Sequence, residues 1–551
     1  MRILILLLCW SSLAAQYVPP LRGELRITGT FGELRSDHFH AGLDFRAAVG
    51  TPVYAVGGGY ISRIRISGGG YGQAIYVDHP DGKRSVYAHL EALTPRLRDT
   101  VRALQYANER FELDYRPDSL AFPVARGEPI GSVGNRGFSF GPHLHFEIRE
   151  SATDAPVNPL SLGFAVVDTR APVLQQLQLY TLGVTNRPGR AETYDLVAGQ
   201  LPDTLRVASR RIGLGLKAFD RQDAMPNRNG IYRVALYVDE KLTYAFTYDR
   251  IPYEQTEYLN ALTDYAAWKE RSSWYYLLFA RTPRAVFWTD TLTTDGTIDL
   301  TVGRPRRVQL RVQDYAGNEA ERSFILLAEG LPPAAPPPVV WGRYALPAGE
   351  ESVIDTGELY LHLPAAALYE DLLMDYVYLP DSSAGQVSAT HQLHDARTPL
   401  HGQATLKLTP TVGLSDTLGA RVFVGRCGED GTFRSVGGRW EEDRMVAEIS
   451  TFGRYALRLD TVAPVIRIEQ FRTDLRGQRG FSVLVEEESG GGIDYRGEVD
   501  GDWVLLEYDA KRGQLRHDFA DGAIGPGQHT FTLRVSDRRG NVATLRRPFR
   551  R

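Results

Sequence analysis

Residues 50–90 read GTPVYAVGGGYISRIRISGGGYGQAIYVDHPDGKRSVYAHL, short β-like runs cut by glycine turns. Such punctuation constrains the chain to a sheet more firmly than any other feature it carries. Within the run, IYVDHPDGKRSVYAHL reads as a hairpin with Pro80-Asp81-Gly82 at its turn. The same alternation extends over residues 23–165, interrupted by one helical stretch. There Thr94 can act as N-cap and Pro95 as first helical residue, with Leu97, Val101 and Leu104 at helical spacing. After Pro159 the character changes. DTRAPVL at 168–174 recurs as DTVAPVI at 460–466, and VQDYAGN at 312–318 recurs as VSDRRGN at 535–541. These echoes read as the opening strand and the closing hairpin of a repeated β-sandwich module, with Asp and Gly-Asn as turn chemistry. The fold class expected is mainly β.

A chain of 551 residues suggests three or four domains at about 150 residues each. The longer first copy, about 168–330, includes a partly helical stretch, YEQTEYLNALTDYAAWKERSS. The last copy, about 461–551, has ordinary sandwich length. Between them lie GLPPAAPPPVVWG, a proline-rich and semi-rigid linker, and a further β-rich unit. The net charge of −4 with no long basic run argues against nucleic acid as the main partner.

The opening MRILILLLCWSSLAAQ has the form of a secretory signal: Arg2, a short apolar run over residues 3–10, and small residues for cleavage after Ala14 or Ala15. The apolar run is too short to span a bilayer, which takes about 20 residues, and no other apolar segment is long enough. A lipoprotein signal at Cys9 would want a small residue where Leu8 stands. Of the two cysteines, Cys9 leaves with such a signal. Cys427 then has no partner for an internal disulfide and reads as a small buried apolar residue.

Six of the 12 histidines fall before residue 150: His38, His40, His79, His89, His143 and His145. In GPHLHFEIRE, strand alternation puts His143 and His145 on one face, with Phe146 and Ile148 on the other. The pair is either two half-exposed strand histidines or part of a metal site. HFHAGLD adds His40 and Asp44. A catalytic zinc typically takes three protein ligands and a water, and His40, Asp44 and one of the 143/145 pair would complete such a set. His38 is a rival to His40 or a rim residue, and His79 reads as structural. His391 and His394, in HQLH, lack a well-spaced carboxylate and read as surface or turn residues. Asp460 and Asp537, at module boundaries, are expected to cap turns rather than bind calcium.

The motifs together resemble the lysostaphin/LytM-type zinc endopeptidases of peptidoglycan peptides. That family pairs H-x-G-x-D with a later H-L-H, here His40-Ala41-Gly42-Leu43-Asp44 and His143-Leu144-His145. GTPVYAV, YGQAIYVDH, YAHL and GEPIGSVGNRG flank them in the same order. The resemblance covers residues ~28–150 and implies His40, Asp44 and His145 as zinc ligands, with His89 and His143 as catalytic histidines that do not bind the metal. It implies a twisted antiparallel β-sheet peptidase domain over 16–165, after a signal at 1–15. A β-sandwich module at 166–330, the linker at 331–342, a β-rich module at 343–459 and an immunoglobulin-like sandwich at 460–551 would follow. His89 and His143 stand 54 residues apart because of a helix-bearing insertion near 93–121, either a wall of the groove or surface decoration. By analogy, the chain would be exported to the periplasm or outer envelope of a Gram-negative bacterium, or secreted. It would there cut stem or crosslink peptides such as D-alanyl–diaminopimelyl bonds. Two alternatives are a non-catalytic envelope regulator or amidase activator, whose relatives lack ligands that this chain retains, and an adhesive or scaffold protein acting through its β modules. Those modules could also meet an envelope protein partner. Lacking a comparable histidine–carboxylate cluster and joined by a proline-rich linker, they are expected to be held apart from one another and to position the peptidase, not to perform catalysis.

Overall fold

Alternation of apolar and polar residues over short runs gives strands with one face to bury, and the chain is mainly β. The structure, a computed structural model, describes residues 17–182, 188–223, 225–281, 294–330, 344–380, 383–428 and 430–551. The signal segment 1–15 and the linker 331–342 lie outside the described residues.

The first part is built on β1 (Ile27–Gly29), β2 (Leu43–Arg46), β3 (Pro52–Tyr54), β4 (Gly59–Ile66), β5 (Gln73–Asp78), β6 (Lys83–Ala88) and β7 (Leu90–Leu93). Helix α1 (Pro95–Ala107) follows, then β8 (Leu113–Tyr115), β9 (Pro123–Val124), β10 (Pro129–Val133), β11 (His143–Glu150) and β12 (Pro156–Val157). The main sheet runs β1-β2-β11-β6-β5-β4-β8, with β12 on β11 and β9 on β4; β3-β10-β7 form a second sheet. All these pairings are antiparallel. The β5–β6 hairpin turns at Pro80–Gly82, where Gly82 takes φ 79°. Helix α1 buries Leu97, Val101 and Gln105. Thr94 occupies the N-cap with extended backbone but makes no side-chain capping bond, so Pro95 is the residue that favours the start.

One face of the main sheet is apolar. Leu43, Phe45, Ile64, Ile75, Val77, Tyr87, Leu144, Phe146 and Ile148 are buried in one core. The opposite face of β2, β6 and β11 carries the polar residues, partly roofed by Tyr71 packed on Ala74, Tyr76, Val86 and Ala88.

Two five-stranded sheets follow over residues 173–328, two more over 352–459, and two four-stranded sheets over 465–550. The echo motifs meet in space. The Asp314–Asn318 and Asp537–Asn541 turns close hairpins beside Asp168 and Asp460, and the Asn318 and Asn541 side-chain amides donate to the Asp168 and Asp460 carbonyls.

The expectation that the modules are held apart from one another is overturned: Arg281 pairs with Glu370 at 2.9 Å, and Arg539 donates to the Val422 and Gly438 carbonyls. The core of the first 165 residues is continuous with that of residues 173–328, and Leu505 joins it. Tyr248 lies under Gly32, where a Cβ would come within 2.4 Å of its ring. From the last module, Trp503 meets Tyr106 edge to face at 5.1 Å, and the Ala510 amide donates to the Gly68 carbonyl.

Candidate metal centre

Antiparallel register assembles the site. On β11, His145 stands opposite Asp44 of β2 on one side and Ala88, the end of β6, on the other. Directly opposed residues share a face, so His145 and Asp44 converge, and His89, which leaves the strand after Ala88 at φ 59°, turns its ring to within 5.9 Å of His145. Gly42 lets the HAGLD segment approach: a Cβ there would sit 2.3 Å from the Phe146 carbonyl oxygen. His40, just before it, is thereby carried against β11.

His40 Nε2, Asp44 Oδ1 and His145 Nδ1 lie 2.9–3.1 Å from one another. Both imidazoles are buried. His40 Nδ1 donates to the Thr30 carbonyl at 2.8 Å, which leaves Nε2 as a lone pair. His145 Nε2 meets Glu147 Oε1 at 2.8 Å, which directs Nδ1 inward. Burial works against charge on His145, but hydrogen bonds to Asp44 and Glu147 outweigh it and push its pKa up to about 9. Asp44, despite burial, is held well below the usual carboxylate range by His40 and His145. The pocket therefore draws positive charge. A proton satisfies it pairwise, whereas a cation serves all three donors at once, and two imidazoles with one carboxylate is a donor set that fits zinc.

His89 and His143 stand beside this trio, ring centroids 4.8 Å apart. His89 holds φ 59°, the left-handed region, between β6 and β7. Its amide donates to the Tyr71 carbonyl, and its Nδ1 to the Arg136 carbonyl at 2.7 Å. Burial, then the neighbouring His145 and His143, pushes it down to about 3. His143 Nδ1 donates to the Gly141 carbonyl at 2.8 Å, while Nε2 is 3.5 Å from Asp44 Oδ1. Burial lowers its pKa too. All five candidate residues are thus brought together. His38 is exposed on Asp37, and His79 is a structural residue between the Gly58 carbonyl and Ser85.

Sequence reasoning missed the supporting groups. Glu147, fully buried, takes His145 on one oxygen and Arg149 Nε at 2.5 Å on the other, and Tyr71 donates to it. Arg149 and His145 hold it ionised despite burial. Arg35 binds the second Asp44 oxygen at 3.0 Å. The signal for Glu147 and Arg149 was present: His143, His145, Glu147 and Arg149 continue one period-two face. The contact from the last module had no local signal. Lys511 donates to the Asn135 and Ser139 carbonyls at 3.1 and 2.9 Å, and Glu507 pairs with Arg136 at 3.2 Å. That loop supplies the Arg136 carbonyl to His89 and the Gly141 carbonyl to His143.

Residues 38–106 and 122–159 match the model of Peptidase family M23. This part of the chain is a peptidase family M23 domain. The unmatched stretch lies between α1 and β9. Residues 343–460 match a Zu5-like domain. Among curated proteins, the DD-carboxypeptidase/endopeptidase Mpg of Neisseria meningitidis serogroup B is 35% identical over 142 residues, 25% of this chain and 27% of that one. The peptidoglycan DD-endopeptidase ShyC of Vibrio cholerae is 31% identical over 110 residues, 20% of this chain and 19% of that one. The chain thus spans about a quarter of the length of Mpg and less of ShyC. The catalytic domain of lysostaphin from Staphylococcus simulans aligns over 25% of this chain and 92% of its own, at 26% identity and a TM-score of 0.19.

Proposed function

We propose that the M23 domain is a zinc-dependent endopeptidase acting on stem or crosslink peptides of peptidoglycan. The observation that carries this reading is the convergence of His40 Nε2, Asp44 Oδ1 and His145 Nδ1, flanked by the neutral imidazoles of His89 and His143. Zinc held by the first three would polarise the scissile carbonyl and acidify a water. Glu147 fixes the His145 tautomer, and Arg35 turns one Asp44 oxygen inward by holding the other. With each Nδ1 hydrogen committed to a backbone carbonyl, His89 and His143 present Nε2 as proton acceptors. Once protonated, either can steady a developing oxyanion. The substrate class rests on the named activities of ShyC and Mpg, and the setting would be the periplasm or outer envelope after export. No helix among the described residues is long and apolar enough to cross a membrane.

The test is elemental analysis of the purified chain, then mass spectrometry of peptidoglycan digested with it. One zinc per chain and new peptide termini, with glycan intact, are expected. A metal-free or zinc-loaded protein that releases no peptide would overturn the reading in favour of a non-catalytic regulator.

A further inference from the structure

The two echo modules each gather three carboxylates, and the two sets correspond position by position. Asp168 and Asp460 belong to the D-T-x-A-P segments, and Asp314 and Asp537 open the D-x-x-G-N turns. Asp220 and Glu487 each immediately follow the strand that pairs antiparallel with the opening strand of their module, 211–219 and 480–486. Within each set the candidate ligand atoms lie within 4.8 Å of one another. Oxygens about 2.4 Å from a shared calcium ion are separated by no more than about twice that distance.

The copies differ in how the negative charge is met. In the last module, Arg539 in the turn adds a positive charge near Asp460 and Asp537, its Nη1 donates to the Val422 and Gly438 carbonyls, and one buried Asp460 oxygen has no hydrogen-bond partner. The corresponding residue of the first module is Ala316. The first set lines a cavity of about 290 Å³ with Thr30 and Phe31 of the M23 domain and Asn229, Tyr232 and Tyr315 of the module. Asp314 is satisfied by Asn318, and one Asp168 oxygen by the Arg170 amide. Asp220, 4% exposed, has an oxygen with no hydrogen-bond partner, and so does Asn229, 3% exposed, on the same cavity. A buried, unpaired amide oxygen next to buried carboxylates calls for a positive ligand.

We propose that Asp168, Asp220 and Asp314, with the Asn229 side-chain oxygen, bind a divalent hard cation at the junction of the M23 domain and the module behind it. An all-oxygen donor set of this kind suits calcium, not zinc. In its twin, the positive charge of Arg539 near Asp460 and Asp537 would compete with an ion, and both carboxylates accept turn amides. Burial and the neighbouring carboxylates together raise Asp168 to about 6 and Asp220 to about 7, which a bound cation would reverse. The ion would tie Asp168, at the start of the module, to its closing turn beside the M23 domain.

The test uses the zinc-loaded full chain in buffer stripped of calcium by resin. Calcium should raise the unfolding temperature by a few degrees at millimolar concentration. Terbium should give saturable emission sensitised by Tyr232 and Tyr315, displaced by calcium. Both responses should vanish in Asp220→Asn/Asp314→Asn with zinc content unchanged, and in Ala316→Arg, which copies the twin. The proposal is overturned if neither response is seen up to about 10 mM calcium, well above the affinity of extracellular sites. It is equally overturned if the responses persist in Asp220→Asn/Asp314→Asn, or are lost only in Asp460→Asn/Asp537→Asn.

Discussion

Asp44 is the one carboxylate of the inward trio, and both its oxygens are committed, to the imidazoles and to Arg35. Asp44→Ala should therefore strip most of the zinc, and wild-type metal content by elemental analysis would refute the ligand assignment. His89 and His143 make the opposite prediction. Either alanine variant should keep near-stoichiometric zinc and lose peptide hydrolysis by about 10²-fold or more, the usual scale for a general acid–base group. If His143→Ala empties the site while His145→Ala does not, the roles within the H-x-H pair are reversed. Glu147 tests the second layer. Glu147→Gln keeps the shape but weakens the acceptor for His145 Nε2, and should lower zinc affinity about 10–100-fold by competition with a chelator. His40, Asp44 and the His143/His145 pair were legible because spacing and strand alternation are local properties, whereas His89 and the division of roles came from the family resemblance. Arg35 was not, since nothing in the sequence says which guanidinium folds back onto a carboxylate.

At the scale of elements, β11 does most to assemble the site, and its register is fixed by burying Leu144, Phe146 and Ile148 on the other face. A one-residue slip would turn the whole polar face into the core. The hairpin at Pro80–Gly82 and helix α1 were legible for the same reason: turn chemistry and helical spacing are written in neighbouring residues. His391 shows where that logic stops. Its lack of a carboxylate at useful spacing suggested a surface or turn residue, yet it is fully buried on the strand Thr390–Leu393, its Nδ1 facing the Tyr376 hydroxyl at 3.0 Å. Burial pushes its pKa down to about 4. The unfolded chain, with an ordinary value near 6.5, then binds the proton more readily than the folded one. Stability is complete above pH 6.5 and falls as pH drops toward 4, by about 3 kcal/mol at most. His391→Asn should flatten that slope in urea unfolding of the middle module, and an unchanged slope would count against the burial account.

For the whole molecule, the linker and the absence of a second histidine cluster suggested spacers, and long-range packing was not readable from either. The last module instead holds the loop Gly134–Gly141, through Lys511 on the Asn135 and Ser139 carbonyls and Glu507 on Arg136. The same loop fixes His89 and His143 by their Nδ1 atoms, while none of these contacts reaches His40, Asp44 or His145. Loosening it should cost turnover and spare the metal, because a misplaced acid–base group loses rate steeply with small displacements. Lys511→Ala/Glu507→Ala in the full chain should therefore retain zinc and lower kcat on short wall peptides by about 10-fold or more, with KM changed less. Removing residues 461–551 should have at least that effect, and would also expose the Tyr106 face that Trp503 covers. A truncated, zinc-loaded protein that cleaves short peptides at the full-length rate would return the last module to the role of a spacer. A point variant that loses zinc and rate together would show that the loop supports the metal ligands rather than His89 and His143.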